Sequence, residues 1–178
     1  GSLNKSGSGS LTLTANNTST GSSTVFAGTL IVDGNTSSTT TVASGATLAG
    51  SGSLGGNVTV QSGGTLSPGN GGAGSLNING NLSLAAGSTL ALDINGTTAG
   101  SGYDRVLVNG SANLSGATLA VTHGYTAGSG DRYTVIVNDG GDAITGTFTG
   151  ISEGGTITAG GNGTELTTSY AGGTGNDL

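Results

Sequence analysis

The 178-residue chain carries 39 Gly, 3% aromatic and 7% charged residues, no Cys and a formal net charge of −6. That balance excludes a basic nucleic-acid surface, a polybasic lipid anchor and any disulfide or thiolate metal site. No apolar run reaches the roughly 18 residues that span a bilayer, so no membrane insertion by this segment is expected.

In chain order, one short unit returns: VFAGTL (Val25 to Leu30), VASGATL (Val42 to Leu48), VQSGGTL (Val60 to Leu66), LAAGSTL (Leu84 to Leu90) and LSGATL (Leu114 to Leu119). Its closing leucines are evenly spaced through Leu30, Leu48 and Leu66, and the interval then grows at Leu90 and again at Leu119. A short fixed period that later lengthens by insertion marks a stacked repeat whose extra residues enter loops. Around each unit apolar and small polar residues alternate, as in Asn57-Val58-Thr59-Val60, Leu82-Ser83-Leu84 and Leu90-Ala91-Leu92-Asp93-Ile94, a period of two that suits strands. Gly-containing pairs between them supply turns. The expected fold is all-β, a single-stranded parallel β-helix, with Val58, Val60, Leu66, Leu82, Leu84, Leu90 and Leu92 inward and Thr59, Ser83, Thr89 and Ala91 outward. So much Gly and Ser would otherwise suggest disorder, but the aliphatics recur in blocks at a fixed period.

Pro68-Gly69 reads as a turn, and the stretch 70–80 holds the insertion that lengthens the coil. Residues 1–102 read as β-helix coils and 103–178 as wider C-terminal coils plus a cap, one continuous solenoid. The second part holds all four tyrosines, one of the two phenylalanines and two of the three basic residues. Within it Tyr133 to Val137 reads as a strand covered on both faces, and Asn138-Asp139-Gly140-Gly141 as a hairpin turn. Tyr133, Val135, Val137, Phe148, Leu166 and Tyr170 are expected to concentrate buried apolar area in 103–178 and make it the folding nucleus.

Candidate chemistry is sparse. His123, the one histidine, lacks a Gly-x-Ser-x-Gly elbow and reads as structural. Asp93 with Asp104, or Asp139 with Asp142, offer carboxylate pairs for glycoside cleavage, but the chain has no Trp platform for sugar rings. Gly172 to Leu178 matches a single copy of a calcium-binding nonapeptide that needs stacked copies. Asp104-Arg105 and Asp131-Arg132 read as turn-fixing surface pairs of little energetic weight. Sequons such as those at Asn16, Asn35, Asn57 and Asn95 follow from composition. The doublets Thr12/Thr14, Thr147/Thr149 and Thr156/Thr158 do not recur at one place in the coil, so no flat threonine array is expected. No catalytic, cofactor-binding or metal-binding residue is assigned, and the chain reads as a non-enzyme without cofactors.

One resemblance is specific. Leu3, Lys5, Gly7, Gly9, Leu11, Leu13, Asn17, Ser19, Gly21, Thr24, Val25, Gly28 and Leu30 agree in spacing and type with the passenger-associated repeat of bacterial autotransporters. Ala49 to Gly69 resembles the coil that commonly follows, and Gly102 to Val106, Gly124 to Ile157 and Thr167 to Leu178 are similar to the ends of such passengers. The resemblance implies a right-handed, pertactin-like β-helix, secreted or held at the bacterial cell surface, serving as a virulence-type adhesin or stalk, with 103–178 acting as an autochaperone. Two alternatives stay open: a carbohydrate-binding or polysaccharide-cleaving β-helix, and a filament module that self-associates through its coil ends. The partners implied are a host surface or a glycan.

Overall fold

A computed structural model describes residues 1–139, 141–158, 160–161, 164–172 and 177–178 of the chain. The described residues form strands, bridges and turns without an α-helix. From β3 to β17 each pass of the chain lays one strand on each of three parallel sheets. Sheet A stacks β1 (Leu3–Lys5), β3 (Ser23–Val25), β6 (Thr40–Val42), β9 (Val58–Val60), β12 (Leu82–Leu84) and β15 (Ala112–Asn113). Sheet B stacks β2 (Ser10–Leu13), β4 (Gly28–Val32), β7 (Ala46–Gly50), β10 (Thr65–Pro68), β13 (Thr89–Ile94), β16 (Thr118–His123) and β19 (Gly160–Gly161). Sheet C stacks β5 (Asn35–Thr36), β8 (Ser53–Leu54), β11 (Ser75–Ile78), β14 (Arg105–Val108) and β17 (Ile136–Asn138). This strand order is that of a β-solenoid, and among the described strands β18 (Thr156–Thr158) and β20 (Glu165–Thr167) form the one antiparallel ladder, beside isolated antiparallel bridges such as Gly50 with Gly69.

The spacing of the repeat is the register of sheet B. Leu11, Leu30, Leu48, Leu66, Leu90 and Leu119 are direct partners on successive strands. The seven aliphatics expected inside are at most 2% exposed, while Thr59 is exposed and Ser83, Thr89 and Ala91 are half-buried. Pairing sets the faces, because a one-residue slip would turn every leucine outward.

Between β8 and β17 the insertions collect at one corner. Pro68 pairs with Gly50 at the same sequence offset as Leu66 with Leu48, but Asn77 pairs with Ser53 at a larger one, so the extra chain lies between sheets B and C. On the next pass Leu90 keeps to Leu66 the offset already reached by Asn77 and Ser53, while Arg105 pairs with Ser75 at a wider one still. The same corner has therefore widened again. The inserts 95–104 and 124–135 carry Tyr103, Tyr125 and Tyr133. The sheets stay in register because the extra chain never enters them.

Several expectations change. Pro68 is the last residue of β10, paired with Gly50, and the turn begins at Gly69, with φ +85. The ladder of β13 with β10 uses only Thr65 and Leu66, so proline sits where one side of the strand is already unpaired. Of Tyr133 to Val137 only Ile136 and Val137 are in a strand; the N–H groups of Val135 and Ile136 both donate to the Leu178 carbonyl, which draws the chain off the ladder. The expected hairpin at 138–141 includes Gly140, outside the described residues, and β17 pairs in parallel with β14. The core is also differently distributed. Of the twelve largest fully buried side chains, only Leu114 and Phe148 follow residue 103. Tyr133, Val137, Leu166 and Tyr170 are half-buried: Val137 lies on the outer side of β17 between the buried Ile136 and Asn138, and Tyr133 and Leu166 line a half-open cavity.

Candidate functional site

The first constellation holds the leading coil. Lys5 continues the inward column of Val25, Val42 and Val60 and is 7% exposed. Its Nζ donates to the carbonyls of Gly7 (2.7 Å), Ala27 (2.9 Å) and Ser6 (3.2 Å). Gly28, with φ +68, lies so close that a Cβ there would meet the Gly7 and Gly9 carbonyls and stand 2.8 Å from Nζ. Lys5, Gly7, Gly9 and Gly28 of the quoted repeat therefore meet at one clamp.

The second is Asp104, expected on the surface and found 1% exposed. Its Oδ1 accepts the Gly74 N–H (2.7 Å) and its Oδ2 the Asp93 N–H (2.8 Å). Burial pushes its carboxyl up to about 6, against the two N–H donors, with the nearby Asp93 charge adding a smaller upward push. Asp93 and Asp104 are thus neighbours, but both oxygens of Asp104 are engaged by backbone rather than aimed into a cleft. Asp131 behaves as expected of a turn-fixing group: it is exposed, its carboxylate accepts the Gly128 N–H at 2.8 Å, and the Tyr125 hydroxyl is the leading cause holding its pKa down. Asp139 and Asp142 are exposed on the loop after β17.

His123 is fully buried, stacked on Tyr125 with centroids 4.9 Å apart and edge-on to Tyr133 at 6.3 Å. Tyr103 meets Tyr133 edge-on at 5.3 Å. These rings fill the widened corner between sheets B and C, and the Tyr125 and Tyr133 hydroxyls bond each other. Two inward columns end in polar groups here, Ile94 being followed by His123 and Val108 by Asn138.

Beyond β16 a half-open cavity of about 730 Å³ lies over Ile94, Leu119 and Val121, walled by Tyr133, Val135 and Leu178 and by Ile157 and Leu166 of the β18–β20 pair. None of Asp93, Asp104, Asp139 and Asp142 lines it. Among the described residues no group of three or more His, Asp or Glu side chains is placed to hold a metal. Of the nonapeptide match, residues 173–176 lie outside the described residues; the Asp177 carboxylate accepts the buried Asn138 N–H at 2.9 Å.

The third constellation reverses an expectation. The named threonine doublets do not stack, but the threonine before each closing leucine does. Ser10, Thr29, Thr47, Thr65, Thr89 and Thr118 are direct partners on six successive strands of sheet B, facing outward. Two residues along, Thr12, Ile31, Ala49 and Ser67 form a second rank on that face, in which Ala49 is 8% exposed; the ladder is interrupted after Ser67, and the pair Ala91 and Ala120 lies beyond. The signal was the recurrent Thr-Leu dipeptide itself, one residue out of phase with the leucines. No known family model matches the chain, and no curated protein is significantly similar to it.

Proposed function

We propose that the chain is a non-enzymatic structural segment, a stalk or adhesin rod, of a bacterial secreted or cell-surface protein of the autotransporter passenger type. In this reading the coils wind right-handed, the β18–β20 pair and Leu178 cap the last coil, and 103–178 assists folding as an autochaperone. The observation that carries the reading is the Lys5 clamp: the residues that make the repeat recognisable, Lys5, Gly7, Gly9 and Gly28, converge on one structural job at the start of the rod. A rod built for reach needs a continuous stack, and the unbroken leucine register supports that use.

The chain then presents its surface to a glycan or host-surface ligand, needs no cofactor and avoids nucleic acid through its net charge of −6. Screening the purified chain on a glycan array and on acidic polysaccharides tests this. Retention of a glycan without turnover is expected, and reproducible cleavage contradicts it. The polysaccharide-cleaving alternative lacks support at Asp104, whose oxygens are both taken by backbone N–H groups.

A further inference from the structure

The first outward rank of sheet B has a property that a merely solvated strand face does not require: its hydroxyls recur on six successive strands, beside a second, mostly apolar rank that is interrupted between Ser67 and Ala91. Along the stack the hydroxyl of one strand stands over that of the next at the strand spacing of about 4.8 Å, and along each strand the ranks are separated by about 6.7 Å. Six hydroxyl-bearing residues, Ser10 to Thr118, therefore form a row about 24 Å long. Neither rank contains a charged residue, although the chain carries twelve. The corner insertions, which lengthen each coil after Leu66, leave the row unbroken. Thr47, Thr65 and Thr89 are half-buried by their own neighbours in the row, and such crowding with β-branching restricts their χ1.

A regular, rigid row without pocket or aromatic ring, with the outward Asp93 of β13 two ranks away, offers little to a flexible ligand and much to a lattice. Oxygens in a tetrahedral hydrogen-bonded lattice stand about 2.75 Å from first neighbours and hence about 4.5 Å from second neighbours. The threonine spacing departs from that by about 0.3 Å per strand, so the oxygens of three adjacent strands stay within about 0.6 Å of lattice positions. The threonine methyls and the Ile31, Ala91 and Ala120 side chains leave the water between hydroxyls no other partner than its own lattice. Sheet A also stacks Thr24, Thr41 and Thr59, but its three-residue strands turn only one rank outward. We propose that the outer face of sheet B binds ice.

Slow freezing of a dilute solution of the whole chain, with protein measured in ice and in residual liquid, tests the proposal. The wild-type chain is expected to enrich several-fold in ice over an inert protein of equal size. Thr65→Lys, at the centre of the row, is expected to abolish enrichment, and Asn77→Lys, the same change on the exposed face of sheet C, to preserve it. Thr89→Tyr, a good strand former, is the second disruption should the Thr65→Lys protein not fold. Wild-type protein that partitions like the inert protein overturns the proposal, and so does an equal loss in Asn77→Lys.

Discussion

Asp104 and Gly74 are 30 residues apart and joined by a 2.7 Å hydrogen bond from the Gly74 N–H to Oδ1, buried between successive coils. The bond ties the start of β14 to the loop before β11, where the coil first widens. Its acceptor is a carboxyl whose pKa burial raises from 3.8 to about 6. The folded state thus binds this proton more tightly than the unfolded state, and stability falls as pH rises wherever that holds. The contribution is fully present below pH 4 and lost as pH passes 6, with a size of order 2 kcal/mol. Asp131 and Glu153, held below their ordinary values by hydrogen bonds led by the Tyr125 hydroxyl and the Tyr170 N–H, act in the opposite direction at pH values below that window. Thermal unfolding between pH 4 and 7 is expected to show a melting temperature that declines with pH, and Asp104→Asn to flatten the decline. An unchanged slope in the variant contradicts the assignment.

At the other end of the rod, Lys5→Met keeps the apolar stem and removes three hydrogen bonds from a charged donor. A loss of about 2 kcal/mol in denaturant unfolding is expected. Gly28→Ala should cost more, since it combines a left-handed φ with a clash against the Gly9 carbonyl. Hydrogen exchange should place the damage in β1 and β2. A variant whose first coil stays protected would show that the clamp is not what fastens it.

The core column predicts an asymmetry between adjacent faces. Leu66 is fully buried between Leu48 and Leu90, so Leu66→Ala should cost about 2–5 kcal/mol. Thr59→Ala, on an exposed position, should stay within about 0.5 kcal/mol. Equal effects would mean that the leucine ladder is not the core.

Chelation should leave the fold unmoved. Among the described residues no cluster of ligating side chains exists, and the Asp177 carboxylate serves the Asn138 N–H. A drop of several degrees in melting temperature in excess EDTA would show a metal in the folded chain.

The stacking was legible in the sequence because Thr-Leu returns at the coil period, and both members of that dipeptide keep their face through every insertion. Its outer half was overlooked because Thr-x-Thr doublets drew attention to single strands, whereas the row runs across strands. Asp104 was not legible: its partners, Gly74 and Asp93, come near only because two loops widen at the same corner, and no local pattern records that. His123 is buried by Tyr125 and Tyr133 of the insert that follows it, and no local pattern records that the insert folds back over it. Of the large side chains expected to be buried in 103–178, Val135 and Phe148 are, while Tyr133, Val137, Leu166 and Tyr170 are half-buried, since side-chain size does not record which side of a strand faces inward.

The chain has no cysteine, so engineered pairs report the register without interference. Neighbours in the row stand about 4.8 Å apart and alternate strands nearly 10 Å, while a disulfide needs Cα atoms closer than about 7 Å. Mild oxidation should therefore close Thr47→Cys with Thr65→Cys, and Thr65→Cys with Thr89→Cys, within one chain, and leave Thr47→Cys with Thr89→Cys open. Closure of the last pair as readily as the first two, or of none, would contradict the stacked-coil account.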